Sequence, residues 1–195
     1  MVFPFWSLCD QKRYKSFYPF QWSMEKKNYA KFYHRVVEKI RQKPNLVRAI
    51  KLADKALVLG FIAAYAVFLA IVLLQKPFDW LYTANKVGLP ALCFAAVSLL
   101  RRLIKRPRPY EKTGAGIDPL VKKDAEGNSM PSRHLASAAV LSLIFFPECI
   151  WLGIVALVAT ELLSLLRFLQ GAHYPTDLLV GELLGFAFGA IGLLL

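Results

Sequence analysis

Residues 56–74 read ALVLGFIAAYAVFLAIVLL, nineteen consecutive positions without a charged side chain. An α-helix rises about 1.5 Å per residue, so this stretch is long enough to cross roughly 30 Å of membrane hydrocarbon. Lys55 and several other basic residues precede it directly. We therefore predict a transmembrane helix at this position, with a basic segment on its N-terminal side.

Further apolar segments follow on the C-terminal side, at residues 87–104, 131–147, 149–168 and 176–195. The first of these is uncharged only as far as Leu100, so it crosses the membrane only if Arg101 and Arg102 face protein or lipid headgroups. The sequence has no alternating strand pattern, and helices satisfy all of their backbone polar groups within lipid. We therefore predict an all-α, polytopic transmembrane helical bundle with about five spanning helices in a domain at 56–195.

The composition indicates a membrane protein rather than an ordinary soluble domain. The 195 residues are 56% hydrophobic, and their mean hydropathy is +0.42. The formal net charge of +12 would suit either nucleic acid or anionic lipid as a partner. Because the basic residues flank apolar segments instead of forming a separate basic domain, we expect anionic lipid headgroups and no nucleic acid.

The part of the chain before the first apolar segment divides into two regions. Residues 1–23 are interrupted by Pro4 and Pro19, and we assign them as an N-terminal extension, with disorder as one interpretation. Residues 24–55 are dense in lysine and arginine. Within them, apolar side chains recur at helical spacing: Tyr29, Phe32, Tyr33, Val36, Val37 and Ile40. The pattern predicts a basic amphipathic helix at the membrane interface, broken near Pro44, with a solvated basic linker as the alternative.

Basic residues are distributed unequally between the predicted loops. The N-terminal arm and the loop at 105–130 hold most of them, whereas the loop after the third segment and the C-terminus hold none. The positive-inside rule therefore predicts a multi-pass protein of the cell membrane with a cytoplasmic N-terminus.

Polar and charged residues cluster where the apolar segments begin and end. They are Arg101 and Arg108 after the second segment, Ser132, Arg133 and His134 at the start of the third, Arg167 at the end of the fourth, and His173 and Asp177 at the start of the fifth. A chain that repeatedly crosses a bilayer returns to one side at each of these points. Arginine forks bind phosphate-type oxygens, and imidazoles take part in covalent and proton-transfer chemistry, so we predict a site for a tetrahedral oxyanion.

Each group also has a simpler local explanation. Pro131 is expected at the first helical position, so Ser132 and His134 either hold an anion or only begin a helix. Asp177 either accepts the imidazole N–H of His173, raising the basicity of its other nitrogen, or only caps the last helix. The arginines after the second segment also fit a topology anchor. The convergence of all three groups on one face favours the functional interpretation.

The three groups resemble the signature motifs of the phosphatidic acid phosphatase type 2 superfamily, which also contains the vanadium haloperoxidases. The first motif is Lys, six residues, Arg-Pro, and Arg101 stands seven positions before Arg108-Pro109. The other Arg-Pro pair, which starts at Arg106, would put Leu99 in the cationic position, so we reject it. Arg101 thus replaces the lysine of the motif and keeps its charge.

The other two motifs also resemble this chain in order and spacing. Pro-Ser-Gly-His corresponds to Pro131-Ser132-Arg133-His134, with arginine in place of glycine. Ser-Arg, five residues, His, three residues, Asp corresponds to Arg167, His173 and Asp177, with Leu166 in place of serine. The resemblance covers about 101–177 and the helical layout beyond it.

The resemblance implies a covalent phosphoryl-transfer mechanism. His173 would attack phosphorus, Asp177 would orient it, and His134 would protonate the leaving group and then activate water. The phosphoryl oxygens would be held by Arg101, Arg108, Ser132, the backbone of Arg133, and Arg167. The family needs no metal, and we expect no cofactor.

We therefore expect a membrane lipid phosphatase, a metal-independent hydrolase of phosphoric esters or anhydrides. Candidate substrates are phosphatidic acid, phosphatidylglycerophosphate and polyprenyl phosphate or diphosphate, whose tails stay in the bilayer while the headgroup enters the site. One alternative is a lipid phosphotransferase that uses the same site. Another is a non-catalytic membrane protein that binds anionic lipid, although such a protein has no need of His134, His173 and Asp177.

Overall fold

The computed structural model describes residues 21–74, 79–111, 113–122 and 127–194, without the side chains of 21–26. Within these ranges the chain forms six helices and no strand. They are α1 (Gln21–Arg41), α2 (Pro44–Leu74), α3 (Trp80–Ile104), α4 (Arg133–Phe145), α5 (Ile150–Leu169) and α6 (Pro175–Leu194). Most of the predicted N-terminal extension, residues 1–20, lies outside the described residues.

The predicted all-α membrane bundle is confirmed, and the described ranges contain four helices long and apolar enough to cross a bilayer: α2, α3, α5 and α6. The third predicted segment differs, because α4 has only 13 residues, about 20 Å of helix. Most of its side chains are buried, and it lies in the centre against α3, α5 and α6. A helix enclosed by other helices need not match the thickness of the lipid.

The start of α4 also differs from the prediction, which put Pro131 at the first helical position. The helix begins at Arg133, and Ser132 has an extended backbone with φ −74° and ψ 114°. The Ser132 N–H donates to the Asp177 carbonyl oxygen at 2.9 Å, so this residue is tied to the start of α6. The chain segment before α4 is thereby fixed beside the residues that open α6.

Close packing between α4 and α6 depends on three glycines spaced four residues apart. A Cβ atom at Gly181 would lie 2.6 Å from the Ser132 carbonyl oxygen, and one at Gly189 would lie 2.7 Å from Leu143 Cβ. At Gly185 a Cβ would collide with the Ala136 carbonyl oxygen. Small residues at such spacing let the backbones of membrane helices approach closely. The contact brings Ser132 and Asp177 together at one end of the bundle.

The second predicted span begins earlier than expected, because α3 starts at Trp80 and not near residue 87. Asp79 caps it, with Oδ1 accepting the N–H groups of Leu81 at 2.9 Å and Tyr82 at 3.0 Å. Lys86, one position before the predicted span, is therefore a buried helical residue, paired with Glu148 at 3.1 Å. An ion pair of this kind makes a charge within an apolar helix tolerable.

The basic segment forms a helix that packs on the loops at the predicted site end. A break occurs near Pro44, as predicted, and α2 then continues without interruption from the basic segment into the first span. In α1, Tyr33 and Val37 are buried. The Tyr33 hydroxyl donates to the Leu169 carbonyl oxygen at 2.8 Å and accepts the Leu120 N–H at 3.0 Å. These hydrogen bonds hold α1 against the end of α5 and against the loop that follows α3.

Candidate active site

All eight predicted site residues lie at one end of the bundle, where α3 and α5 end and α4 and α6 begin. They are Arg101, Arg108, Ser132, Arg133, His134, Arg167, His173 and Asp177. Hydrogen bonds join the segments that carry them, from Arg101 to the chain before α4 and from Ser132 to α6. The helical layout thus brings together residues up to 76 positions apart in sequence.

Arg101 links the end of α3 to the chain that precedes α4. Its guanidinium is buried, and Nη1 donates to the Pro131 carbonyl oxygen at 2.7 Å and to the Ser129 carbonyl oxygen at 3.2 Å. Both acceptors are neutral, so the positive charge is not cancelled by these contacts. Arg101 therefore fixes the segment before α4 and keeps its charge in the site.

His173 is almost fully buried between α5 and α6, with 3% of its surface exposed. Its Nδ1 lies 2.9 Å from the Ser129 carbonyl oxygen, an acceptor, so Nδ1 carries the proton. Nε2 is consequently the nitrogen with the free electron pair. Asp177, expected to accept the imidazole N–H, has Oδ2 3.8 Å from Nδ1, which is beyond hydrogen-bond distance. The hydrogen bond goes to Ser129, and Asp177 acts on the ring through its charge.

The charge state of His173 follows from its surroundings. Burial lowers the pKa of the imidazole below its usual value of 6.5, because the charged form loses hydration. The Asp177 carboxylate opposes this change, and the positive charges of Arg108 and Arg167 lower the pKa further. His173 is therefore neutral at neutral pH, the form in which Nε2 acts as a nucleophile.

Asp177 is completely buried and has a partner that we had excluded from the first motif. Arg106 Nη1 donates to Asp177 Oδ1 at 2.7 Å and to Thr176 Oγ1 at 2.8 Å. The Arg106 guanidinium also stacks on the Tyr174 ring, 4.2 Å from its centroid. The Tyr174 N–H donates to Asp177 Oδ2 at 3.0 Å. Arg106 and Tyr174 together fix the carboxylate beside His173.

Arg167 lies at the end of α5 and is buried against a residue of α2 that we had not considered. Its Nε is 2.6 Å from Asp54 Oδ1, and both residues are less than a tenth exposed. The Nε–H direction is not aligned for a hydrogen bond, so the contact is an ion pair. A lone aspartate among the lysines that precede the first span was the only sequence signal for this partner.

Arg108 is held by the loop that follows α3. Its Nε donates to the Gly127 carbonyl oxygen at 3.2 Å, and its backbone N–H donates to Glu111 Oε1 at 3.1 Å. Glu111 also accepts the Gly127 N–H at 2.6 Å, which closes this loop on itself. The positive charge of Arg108 is close enough to act on His173, Arg101 and Arg167.

The residues that open α4 differ in exposure. Ser132 is fully buried, and its hydroxyl has no hydrogen-bond partner among the described residues. Arg133 and His134 are exposed. The Arg133 guanidinium lies 5.7 Å from the ring centroid of Phe94, a half-exposed residue of α3. Arg133, which replaces the glycine of the motif, thus has its side chain at the surface between α3 and α4.

Ser129 is a further residue that sequence reasoning missed. It is fully buried, and its carbonyl oxygen contacts both Arg101 and His173. Its N–H donates to the Arg106 carbonyl oxygen at 2.8 Å, and its hydroxyl to the Pro107 carbonyl oxygen at 3.2 Å. Most of these contacts use the backbone, so the side chain gave no signal of them.

The arrangement can bind and transfer a phosphoryl group. A neutral imidazole with a free Nε2 lies among arginines from α3, α5 and the loop between α3 and α4. Fixed positive charges of this kind stabilise the negative oxygens of a phosphoryl group in transfer. Within the described ranges, His, Cys, Asp and Glu do not form a group of three that would hold a metal ion.

Comparison with known proteins finds solved structures that are similar to this chain. LpxE from Aquifex aeolicus has a similar crystal structure, with a TM-score of 0.54 and 20% identity over 76% of this chain and 94% of that one. A transmembrane PAP2-type phosphatidylglycerolphosphate phosphatase from Bacillus subtilis is also found, with a TM-score of 0.42 and 19% identity over 88% of this chain and 94% of the other. The curated proteins include no match.

At these identities the structural likeness concerns the fold alone. A sequence model of one family matches residues 84–195, which is more than half of the chain and includes every residue of the three motifs. The same region carries most of α3 and all of α4, α5 and α6 and, with them, the clustered arginines and histidines. The described residues include four helices that are long and apolar enough to cross a membrane, and this chain is a multi-pass membrane protein that belongs to the PAP2 superfamily.

Proposed function

We propose that this protein is a membrane lipid phosphatase that removes phosphate from a lipid phosphomonoester or diphosphate through a phosphohistidine intermediate. Membership of the PAP2 superfamily supports phosphatase activity in general. The observation that carries the finer proposal is the state of His173. Its Nδ1 proton is held by the Ser129 carbonyl, its pKa is lowered by burial, and its Nε2 is the nitrogen left to attack.

In the first step, Nε2 of His173 attacks phosphorus, a P–N bond forms, and the bond to the leaving oxygen breaks. His134 gives a proton to that oxygen, whether it belongs to an alkoxide or to a phosphate. The Nδ1–H of the resulting imidazolium keeps its hydrogen bond to Ser129, and the Asp177 carboxylate stabilises the positive charge. The covalent intermediate thus retains the orientation of the free enzyme.

In the second step, water attacks phosphorus, His134 accepts the proton, and the P–N bond breaks with return of the electron pair to Nε2. The phosphoryl oxygens are held in both steps by Arg101, Arg108 and Arg167, with the Ser132 hydroxyl and the Arg133 N–H at the start of α4. Helix N-termini stabilise anions at such positions. The arginines supply fixed positive charge, which is the main requirement for phosphoryl transfer.

An amphiphilic substrate is supported by the position of the site. It lies at the ends of helices that are long and apolar enough to span a membrane. We infer that it lies at the level of the lipid headgroups, so that an acyl or prenyl tail remains in the bilayer. We favour phosphatidic acid, phosphatidylglycerophosphate or a polyprenyl phosphate or diphosphate. Transfer of the phosphoryl group to an acceptor other than water would use the same residues and is the alternative function.

The decisive experiment is phosphate release from a panel of these lipids in detergent with chelator present, for the wild type and for His173→Ala. We expect release by the wild type from at least one lipid and no release by the folded variant. Wild-type protein should also acquire acid-labile, alkali-stable phosphate during turnover, as expected for a P–N bond. Release by His173→Ala at the wild-type rate would exclude the covalent mechanism.

We also propose that the site faces the cytoplasm and that α1 binds anionic lipid headgroups. Lys31, Arg35 and Lys39 are exposed at four-residue spacing on α1, beside exposed Phe32 and Val36. A basic stripe next to an apolar stripe suits a helix that lies on an anionic membrane surface. Joint replacement of the three basic residues by glutamine should remove any dependence of activity on anionic lipid.

The orientation has its own test. With Cys9, Cys93 and Cys149 replaced by serine or alanine, a single cysteine at position 115 should resist impermeant thiol reagents in intact cells. It should react once the membrane is opened. Labelling of intact cells at the same rate would place the site on the outer face.

A further inference from the structure

Asp54 lies outside the part of the chain that matches the PAP2 superfamily, which begins at residue 84. It is nevertheless in direct contact with a residue of the third motif, because its carboxylate pairs with Arg167 at 2.6 Å. Only 7% of Asp54 and 8% of Arg167 is exposed. The helix that carries Asp54 thus contributes a buried group to a site assembled from α3 to α6.

The register of α2 directs Asp54 into the bundle. Ile50 is buried one turn before it, and Leu57, Val58 and Phe61 one to two turns after it pack on the core. That part of the core comprises Leu135, Ala138, Leu163 and Leu178, from α4, α5 and α6. Asp54 therefore occupies the position on the buried face of α2 that faces the end of α5, while Lys51 and Lys55 on either side are exposed.

The ion pair stabilises the charged forms of both Asp54 and Arg167. A buried carboxylate and a buried guanidinium each lose hydration, and each is tolerated only with a charged partner. Arg167 is also close enough to Arg108 for their charges to repel. The negative charge of Asp54 offsets this repulsion and holds Arg167 in place before any phosphate is bound.

The geometry of the contact leaves Arg167 able to bind a ligand. Asp54 approaches Nε of Arg167, so this ion pair is made by Nε and not by the two terminal amino groups. A guanidinium has a planar fork in which the terminal groups bind two oxygens of a phosphoryl group. A carboxylate beside Nε holds the Arg167 side chain in place through its charge and does not occupy the terminal donors.

We propose that Asp54 is a positioning residue that sets the orientation of Arg167 toward the phosphoryl group. The proposal rests on the phosphatase function proposed above. A positioning role differs from a purely structural one in what a substitution changes. Loss of a positioning residue lowers the activity of each folded molecule, whereas loss of a structural residue lowers the amount of folded protein.

The test compares Asp54→Asn and Asp54→Glu with the wild type in detergent. Asp79→Asn is a matched control, since it makes the same chemical change at the cap of α3, where asparagine also caps. Three quantities are measured per folded molecule: kcat, KM for the lipid, and stabilisation against heat by inorganic orthovanadate, which mimics phosphorus in the transition state.

For Asp54→Asn we expect kcat to fall about 100-fold, the size of effect that small misplacement of a catalytic group produces. KM should change less than about threefold, because the lipid tail is bound elsewhere. The affinity for orthovanadate should fall about tenfold. In kcat and in this affinity, Asp54→Glu should lie between Asp54→Asn and the wild type, whereas Asp79→Asn should equal the wild type. If Asp54→Asn does not fold, Asp54→Glu decides through the same three quantities.

Two different failures can be told apart. If the wild type releases phosphate and both folded Asp54 variants match it in kcat and in orthovanadate affinity, Asp54 is only structural. If the wild type releases no phosphate from any lipid and gains no stability from orthovanadate, the proposed function itself is wrong. A lower yield of Asp54→Asn with unchanged kcat per folded molecule also overturns the positioning role.

Discussion

Arg106 Nη1 lies 2.7 Å from Oδ1 of Asp177, and this ion pair joins residues 71 positions apart. The carboxylate that faces His173 is thus already bound to a positive charge on its other side. Asp177 is fully buried, so the pair is poorly screened by solvent. Arg106 consequently affects His173 without touching it, by fixing the carboxylate and by partly cancelling its charge.

Replacing Arg106 by glutamine should alter both the rate and its pH dependence. Asp177 would lose its positively charged partner and act more strongly on His173, which raises the pKa of the imidazole. As the pH is lowered, the variant should therefore begin to lose activity at a higher pH than the wild type does. Its kcat should also fall about tenfold to 100-fold, because the carboxylate is less well placed. The measurement is a pH profile of kcat/KM for one lipid substrate.

Arg102→Gln is the matched control, because Arg102 belongs to the same basic cluster and is exposed. It should retain the wild-type profile. If Arg106→Gln also retained that profile, Arg106 would only anchor the loop after α3.

The pKa of His173 predicts the acid limit of activity. The proposed mechanism needs neutral His173, and burial together with Arg108 and Arg167 lowers its pKa below 6.5 despite the opposing Asp177. The rate should therefore decline only as the pH falls below 6.5. An acid limit above pH 6.5 that is attributable to this histidine would contradict the environment described here.

Stability gives an independent measurement of the same pKa. In the unfolded chain His173 takes up its proton near pH 6.5, whereas in the folded chain it does so only at lower pH. Between these two values the unfolded state binds more protons, so the wild type should lose stability as the pH falls. His173→Gln should lose less over that range, and equal slopes for the two proteins would argue against a lowered pKa.

Ser132 has a buried hydroxyl without a partner in the described part of the chain. Removing an unsatisfied buried group does not weaken the fold, so Ser132→Ala should be at least as stable as the wild type. If the hydroxyl donates to a phosphoryl oxygen, kcat should fall about tenfold to 100-fold. In Ser132→Ala the rate of phosphate release should thus fall while the thermal unfolding temperature stays the same or rises.

Ser142→Ala is the control, because it should change stability and not activity. Its hydroxyl is equally buried but donates to the Ala138 carbonyl oxygen at 2.8 Å and contacts Thr160 Oγ1 at 3.1 Å. This variant should lose about 1 kcal/mol of stability and keep its kcat. Loss of stability together with activity in Ser132→Ala would assign the Ser132 hydroxyl a structural role.

The sequence predicts that the site residues lie at one end of the bundle, because this prediction depends only on the order in which the helices cross the membrane. Arg101, Arg167 and His173 lie at successive helix ends, so their placement at one end of the bundle does not depend on exact helix boundaries. The boundaries themselves were less predictable. Lys86 lies one position before the predicted second span, and its place inside α3 could not be predicted because its pairing with Glu148 depends on how α3 packs near the turn between α4 and α5.

The partners of the site residues could not be predicted, for a physical reason. Asp54, Arg106 and Ser129 reach the site through side-chain direction and backbone carbonyls, which sequence spacing does not encode. Arg106 in particular was set aside on motif spacing, although its contact with Asp177 is among the shortest in the site. Their role depends on the packing of α2 and of the loop after α3.

The packing of α6 on α4 leads to a final prediction, Gly185→Ala. An added Cβ would collide with the Ala136 carbonyl oxygen and lie 2.7 Å from Ala139 Cβ, so the two helices must separate. Overpacking of this kind costs about 1–3 kcal/mol. Because the same contact fixes Ser132 beside Asp177, kcat should fall together with the thermal unfolding temperature. Gly60→Ala is the control, since a Cβ there meets nothing within 4 Å and alanine favours the helix. Equal unfolding temperatures for the two variants would mean that α4 and α6 are not in close contact at Gly185, and the position of Ser132 would need another cause.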